Sequence, residues 1–184
     1  AGRVQWHEQT LNPGHHRARD VQRWRQDIAY MPQDTTIDIS LSVLEIVVLG
    51  GLDALTLHID PVILEQAMAC LHAAGIADLA QRDITSLSGG QRQMALFAQV
   101  LMRNARMMLL DEPVSALDLR HQIAMLDLVR EQTRARGLVT VIVLHDLNLA
   151  CQYADNLLIF ANGELKANGA PGEVVTRELL AKTY

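Results

Sequence analysis

The stretch from Leu87 to Asp118 constrains the fold most, because it joins a glycine-rich turn, a helix, a strand and two acids in one order. Ser88, Gly89 and Gly90 precede a run with helical apolar spacing (Met94, Phe97, Ala98, Leu101 and Met102). A serine in this position is a favoured N-cap, so we expect a helix to begin there. The first N–H groups of a helix have no internal partner, and glycines leave them uncovered. The turn is therefore suited to bind a phosphate group.

Two acids follow the next apolar run. Met107–Leu110 is continuously apolar, which is typical of a parallel strand covered on both faces, and it ends at Asp111 and Glu112. Ligands of open α/β sheets gather at the carboxyl ends of the strands. We expect Asp111 to hold Mg²⁺, directly or through water, and Glu112 to polarise an attacking water, as phosphoryl transfer requires.

A second strand is predicted to end in the same way. A helix is expected over Leu119–Arg136, ending at Gly137, and the β-branched run Val139–Leu144 then predicts another buried parallel strand. His145 follows directly, and Asp146 can cap the next helix. A lone histidine after a strand is more often structural. Because two neighbouring strands both end in polar groups, we expect His145 to act together with the acids.

The ordered set LSGGQ, hydrophobic-DEP and SALD resembles the signature motif, Walker B motif and D-loop of the ATP-binding cassette (ABC) ATPases. The resemblance implies ATP and Mg²⁺ as ligands, with Glu112 activating water and His145 contacting the γ-phosphate. It also implies that the signature residues bind the nucleotide of a second subunit, and that Asp118 lies at the seam between the two subunits. These signature residues are Ser88, Gly89, Gly90 and Gln91.

Gln33 resembles the Q-loop glutamine of the same family. It follows the predicted strand Ile28–Met31 and Pro32, and its amide can reach Mg²⁺ or the attacking water. Read alone, it is a turn glutamine. The resemblance implies an α/β fold, a RecA-like P-loop NTPase core with an inserted α-helical subdomain. It divides the chain into residues 1–33 of the core, the helical subdomain 34–86, and the signature helix with the remaining core, 87–184.

Local patterns predict the remaining elements. Leu41–Leu49 is expected to be a helix that ends at Gly50 and Gly51. Asp60 and Pro61 predict the start of another, which ends at Gly75 and whose apolar stripe (Ile63, Leu64, Ala67, Met68 and Leu71) is expected to be core. Towards the termini we expect a strand at Arg3–Trp6, a turn at Asn12–Gly14, a polar helix over Arg17–Gln26, a hairpin turning at Asn162-Gly163 and a final helix over Thr176–Lys182.

The phosphate loop GxxxxGK[ST] does not occur in the sequence. We therefore expect a partial core that begins after the first strand, phosphate loop and first helix of a complete cassette. The absence of the phosphate loop from this sequence leaves two functions open. The complete protein is an ATPase, or the chain is a catalytically incomplete regulatory or dimerisation module that completes a partner's ATP site.

Composition excludes some classes of function. The formal net charge of −5 gives no basic surface for nucleic acid. Only two cysteines occur, Cys70 and Cys151, each within an apolar helical pattern, which predicts buried thiols in a reducing compartment. DNA-repair and chromosome ATPases share the motifs, but they insert coiled coils or zinc modules before the signature. The interval Gln33–Ser88 has neither heptads nor cysteine pairs.

The segment HDLNLACQYADNLLIFANGELKANGAPGEVV is similar to the importer branch that serves iron-siderophore, haem and cobalamin uptake. The resemblance implies that the protein powers import, with an iron-siderophore or related chelate as cargo. The implied partners are a second, identical ATP-binding subunit, transmembrane permease subunits and, indirectly, a periplasmic or surface substrate-binding protein. The protein would then be peripheral, at the cytoplasmic face of the inner membrane.

Overall fold

The computed structural model describes residues 4–6, 9–11, 26–33, 40–52, 59–115 and 117–183. The predicted turn at Asn12–Gly14, and the predicted helix over Arg17–Gln26 apart from its last residue, lie outside these ranges. The chain forms two compact units, Ala1–Ile142 and Val143–Tyr184. The predicted boundaries at residues 33 and 86 stay a prediction.

The strands of the first unit confirm the α/β class. Strand β1 (Val4–Trp6) pairs antiparallel with β2 (Gln9–Leu11), which was not predicted. Strand β3 (Ile28–Met31) pairs in parallel with β4 (Met107–Asp111), with Met31 opposite Leu110. Strand β5 (Val139–Val143) completes the order β3-β4-β5. The carboxyl ends of β3 and β4 therefore meet at one edge of the sheet.

The described residues of the first unit include the complete helices α1 (Val43–Gly51), α2 (Pro61–Ala73), α3 (Gly89–Met102) and α4 (Leu119–Arg136). Two 3₁₀ turns, Ala77–Leu79 and Ile84–Ser86, connect α2 to α3. Helices α1, α2 and α3 pack on one another, and α3 also packs on β3. Most of the fully buried side chains come from the four helices and the sheet; these are Met31, Val43, Val47, Leu71, Phe97, Leu101, Met108, Leu110, Met125 and Leu126.

The ends of α2 and α4 agree with the predicted capping residues, whereas the predicted core stripe of α2 is only partly confirmed. Asp60 caps α2 by accepting a hydrogen bond from the Val62 N–H, and Gly137, at φ +62°, ends α4 as predicted. Of the predicted stripe, Ala67 and Leu71 are buried, Ile63 and Met68 are half-buried and Leu64 is exposed. The buried face of α2 consists of Ala67, Cys70 and Leu71, so Cys70 belongs to the core in place of Ile63, Leu64 and Met68.

Helix α1 ends at Gly51, as predicted, and includes Gly50 in its last turn. A Cβ atom at Gly50 would lie 2.2 Å from the carbonyl oxygen of Gln99, and one at Gly51 would lie 2.8 Å from Met102 Cε. Gly50 therefore lies near the end of the helix and also allows the close approach of α1 to the backbone of α3.

The prediction that the strand after α4, β5, is buried is wrong. Val139 and Val141 of β5 are 47% and 44% exposed, whereas Met108 and Leu110 of β4 are buried. Among the described residues, β5 is the last strand in the order β3-β4-β5. Alternate side chains of β5 therefore face solvent. An apolar run alone does not distinguish a central strand from an outer one.

The second unit contains α5 (Leu147–Tyr153), β6 (Leu157–Ala161), β7 (Glu164–Gly169), α6 (Pro171–Val174) and α7 (Arg177–Thr183). Strands β6 and β7 form the predicted hairpin, in which Asn162 and Gly163 adopt φ +53° and +75°. Asn-Gly is favoured at such positions because both residues tolerate positive φ. Asp146 caps α5 as predicted, by accepting from the Asn148 N–H at 2.7 Å.

The prediction of buried thiols is confirmed for Cys70 and is wrong for Cys151. Cys70 is buried and Cys151 is half-buried, and both are free thiols. Burial raises the pKa of the Cys70 thiol, which makes this thiol less reactive. Within the described part of the chain, we find no helix that combines the length and the apolar character needed to cross a bilayer.

Candidate functional site

The ends of β3 and β4 bring Gln33 and Glu112 together. In the parallel pair, Met31 lies opposite Leu110, so each strand delivers a polar side chain two residues beyond that position. The side-chain amide of Gln33 donates a hydrogen bond to Glu112 Oε2 at 2.8 Å. A hydrogen bond from an amide fixes the direction of a carboxylate, and a general base needs a fixed direction towards the water it activates.

The backbone of Glu112 has an unusual conformation. Its φ angle is +48°, in the left-handed region that residues other than glycine seldom adopt. The carbonyl oxygen of Glu112 accepts hydrogen bonds from the Ser115 N–H at 3.2 Å and from Ser115 Oγ at 3.1 Å. Strained backbone of this kind persists where the surroundings hold it, and it clusters at functional sites. The turn after β4 thus fixes the direction in which the Glu112 side chain leaves the chain.

Asp111 has a partner that sequence reasoning missed. The hydroxyl of Tyr30 donates to Asp111 Oδ2 at 3.3 Å. Partial desolvation, the negative charge of Asp111 and this hydrogen bond together raise the pKa of Tyr30 above its ordinary value. The signal in the sequence was weak, because Tyr30 lies inside a predicted strand and only the parallel register of β3 and β4 places it beside the acid.

The residues at this edge include oxygen donors of the kind that bind Mg²⁺ together with phosphate groups. Mg²⁺ is usually held by one or two carboxylates together with substrate phosphates and waters. The carboxylate of Asp111 and the amide oxygen of Gln33 are donors of the right chemistry. No cluster of three or more His, Cys, Asp or Glu side chains suited to a metal occurs among the described residues, so these residues do not form an all-protein cage.

The predicted signature turn begins a helix as expected. Ser88 caps α3, with its Oγ accepting from the Gln91 N–H at 3.3 Å while Gln91 Oε1 accepts from the Ser88 N–H at 3.2 Å. This reciprocal pair is a capping box. A Cβ atom at Gly89 would meet no described atom within 4 Å. The start of α3 is therefore capped by side chains and open on the side of Gly89.

The signature turn lies against the start of α4. A Cβ atom at Gly90 would lie 3.3 Å from His121 Cδ2. Asp118 caps α4 by accepting from the His121 N–H at 3.0 Å, and its carboxylate also bonds to His121 Nδ1 at 2.8 Å. These hydrogen bonds, first that from the His121 N–H, lower the pKa of Asp118. His121, which sequence reasoning did not single out, thus connects Gly90 and Asp118. The sequence feature that could have indicated His121 is its position three residues after Asp118, an acid at a predicted helix start.

His145 belongs to the second unit. It is exposed and stands directly before Asp146, the N-cap of α5. Its predicted contact with a γ-phosphate stays a prediction.

Comparisons with known proteins agree with the resemblance noted in the motifs. Residues 1–115 match the family model described as ABC transporter. The chain is 46% identical over 120 residues to the ferric enterobactin transport ATP-binding protein FepC of Escherichia coli (strain K12), covering 65% of this chain and 44% of that protein. It is 38% identical over 165 residues to the hemin import ATP-binding protein HmuV of Rhodopseudomonas palustris (strain ATCC BAA-98 / CGA009), covering 85% and 59% respectively.

A solved structure is similar as well. The inward-facing conformation of a metal-chelate type ABC transporter superposes with a TM-score of 0.80 at 31% identity, covering 85% of this chain and 63% of that one. The chain spans about half the length of the curated relatives that it matches.

Proposed function

Because this chain belongs to the ABC transporter family, we propose that it forms part of an ATP-binding and ATP-hydrolysing subunit that powers import of an iron-siderophore or related chelate. Two similar proteins support the class of cargo, one named for ferric enterobactin and one for hemin. Both are named as ATP-binding proteins of transport systems, which supports the ATPase activity.

The observation that carries the proposal is the hydrogen bond between Gln33 and Glu112 at the end of the β3–β4 pair. In the proposed reaction Glu112 accepts a proton from the water that attacks the γ-phosphate, and Gln33 keeps its carboxylate directed at that water. Asp111, with the Gln33 amide oxygen, would hold Mg²⁺, which supplies charge stabilisation to the phosphates when it is bound. His145 would donate a hydrogen bond to the γ-phosphate.

A second, identical subunit completes each site in this proposal. The open start of α3 presents backbone N–H groups, which are suited to the γ-phosphate of a nucleotide held by the other copy. Asp118, beside His121 and Gly90, would lie at the seam between the two copies. Four signature residues would contact the nucleotide: Ser88, Gly89, Gly90 and Gln91.

The remaining partners follow from the importer assignment. We place the helical subdomain at residues 34–86, where its surface would meet transmembrane permease subunits, between core segments 1–33 and 87–184. The protein would then be peripheral, at the cytoplasmic face of the inner membrane. A periplasmic or surface substrate-binding protein would deliver the chelate to the permease.

Hydrolysis can be tested on the complete gene product. The Glu112→Gln variant should retain ATP binding while turnover falls by about 100-fold or more, because removal of a general base usually costs that much. Glu131→Gln, at an exposed position of α4, is the matched control and should keep the wild-type rate. Undiminished hydrolysis in Glu112→Gln would exclude Glu112 as the base. A wild-type protein that binds no ATP but raises turnover in a partner ATPase would instead support the dimerisation module.

Cargo needs a separate experiment. A strain that lacks the gene should lose uptake of labelled ferric siderophore, and the wild-type gene should restore it, whereas the Glu112→Gln gene should not. Haem and cobalamin uptake are measured in parallel. Loss of haem or cobalamin uptake alone would overturn the siderophore assignment and leave the ATPase assignment standing.

A further inference from the structure

A short loop joins the two acids that the proposed function uses in different ways. It begins at Glu112, directly after β4, and ends at Asp118, the N-cap of α4. In the proposed dimer Glu112 acts on the nucleotide of its own subunit, and Asp118 lies at the seam with the other. The conformation of this loop therefore sets the position of one acid relative to the other.

Each end of the loop is held by local hydrogen bonds. Ser115 bonds to the carbonyl of Glu112 through its N–H and its hydroxyl, and Asp118 is held by His121. The Leu117 N–H also donates to the Val114 carbonyl at 3.2 Å. These contacts are all made within the loop or at its junction with α4.

The side chain of Gln122 reaches the loop from α4. Its amide Nε2 donates to the carbonyl oxygens of Leu117 at 3.0 Å and of Val114 at 3.2 Å. Both N–H donors of the amide are thus used on the same loop. Val114 and Gln122 are buried and half-buried respectively, so these hydrogen bonds are shielded from competition by water.

Gln122 lies on a helix that packs into the core of the first unit. Helix α4 is 18 residues long, and its buried face includes Met125, Leu126 and Val129. Gln122 lies one turn after the N-cap, where the helix is anchored by this packing. An amide held on a packed helix restricts the loop more strongly than a surface side chain would, because its own rotamer is restricted.

We propose that Gln122 is a positioning residue for the hydrolysis reaction: it clamps the loop so that Glu112 and Asp118 keep their relative positions. The inference rests on the proposed function, since positioning has a meaning only if these acids act on ATP. Gln122 itself bonds to backbone carbonyls of the loop, so its effect is expected in the rate of the chemical step rather than in nucleotide affinity.

The test compares two identical substitutions on the same helix of the complete gene product. Gln122→Met preserves side-chain length and removes both donors. Gln132→Met is the matched control, because Gln132 is a buried glutamine of α4 whose Oε1 accepts from Arg136 Nε at 3.1 Å, away from the loop. We expect kcat to fall about 10-fold to 100-fold in Gln122→Met, as small misplacements of catalytic groups do, with the KM for ATP changed less than about twofold. Gln132→Met should keep the wild-type kcat.

Amide hydrogen exchange gives a readout that does not depend on turnover. In Gln122→Met the N–H groups of Ser115 and Leu117 should exchange faster than in wild type, and in Gln132→Met they should not. A third variant, Gln122→Glu, keeps the shape but places acceptors against the two carbonyls, and should reduce kcat at least as much as methionine. Thermal unfolding of all three variants is measured first. If Gln122→Met does not fold, Gln122→Glu still tests the role of Gln122.

The outcomes separate the two proposals. If the wild type hydrolyses ATP and both folded Gln122 variants keep its kcat, the positioning role is wrong and the proposed function stands. A fall in kcat/KM that comes entirely from KM would also overturn it. If the wild type has no ATPase activity with its partners present, the proposed function fails, and the positioning role fails with it.

Discussion

Gln33 and Glu112 are joined by a 2.8 Å hydrogen bond although 79 positions separate them in the sequence. Each residue follows one strand of a parallel pair, so the register of β3 and β4 brings them together. The amide donates to Oε2 of the carboxylate and so restricts the direction of the Glu112 side chain.

Removal of this hydrogen bond should slow hydrolysis without preventing nucleotide binding. In Gln33→Ala we expect the turnover number to fall about 10-fold to 100-fold, because the carboxylate of Glu112 loses its orientation and Mg²⁺ loses one proposed donor. Steady-state ATPase assays at saturating Mg²⁺ measure the effect. Gln152→Ala, on the exposed side of α5, is the control. Equal turnover in the two variants would contradict an orienting role for Gln33.

The edge of the sheet that carries this pair was predictable because the signals there are local. An apolar run that ends in two acids indicates a strand with a polar carboxyl end, and Ser88 before an apolar helix indicates an N-cap. Both features are confirmed in β4 and α3. The α/β, RecA-like class and the ABC family also follow from the motifs, and both are confirmed.

The missed features depend on tertiary contacts. Tyr30 bonds to Asp111 only because β3 and β4 are parallel in one register. The pattern at Gly50 predicts the end of a helix, but it does not show that α3 packs closely against this glycine. The β-branched run of β5 reads as buried, but the order of the strands leaves Val141 exposed. Neighbours distant in the sequence decide each of these cases, and a local pattern does not contain them.

Two capping boxes in the first unit allow the role of Ser88 to be separated from its structural effect. Ser88 with Gln91 caps α3, and Ser42 with Glu45 caps α1 in the same way. Ser88→Ala and Ser42→Ala should each lower the free energy of unfolding by about 0.5–2 kcal/mol, because each removes one N-cap. Only Ser88→Ala should also weaken ATP-dependent association of two subunits, measured by sedimentation. Equal association in the two variants would argue against Ser88 as a nucleotide contact.

The contact between α1 and α3 should not tolerate a methyl group at Gly50. A Cβ atom there would lie 2.2 Å from a backbone carbonyl oxygen, which cannot rotate away as a side chain can. We expect Gly50→Ala to lower the free energy of unfolding by about 1–3 kcal/mol in urea titrations, although alanine is the better helix former. Gly172→Ala is the control, since a Cβ atom at Gly172 meets no described atom within 4 Å. A neutral or stabilising Gly50→Ala would show that α1 and α3 are packed less closely.

Asp83 should make the stability of the first unit sensitive to acid. Its carboxylate accepts hydrogen bonds from the hydroxyl of Ser40 and, at 2.8 Å, from the N–H of Thr85, and it caps the 3₁₀ turn Ile84–Ser86. These hydrogen bonds, first that from Ser40, lower the pKa of Asp83 below its ordinary value. The same region links two segments of the chain, because Asp83 forms a β-bridge with Ser42.

The sign of the pH effect follows from the direction of this shift. The folded pKa is below the unfolded value of about 3.9, so the carboxylate stabilises the fold fully above that pH and loses this contribution as the pH falls through the folded pKa. Asp83→Asn should therefore be less stable than wild type between pH 5 and pH 8, and the difference in unfolding free energy should shrink below about pH 4. Urea titrations at several pH values measure it, with Asp78→Asn as a control for removal of an exposed charge. A difference that stays constant down to pH 3 would show that the hydrogen bonds to Asp83 do not distinguish its charged form.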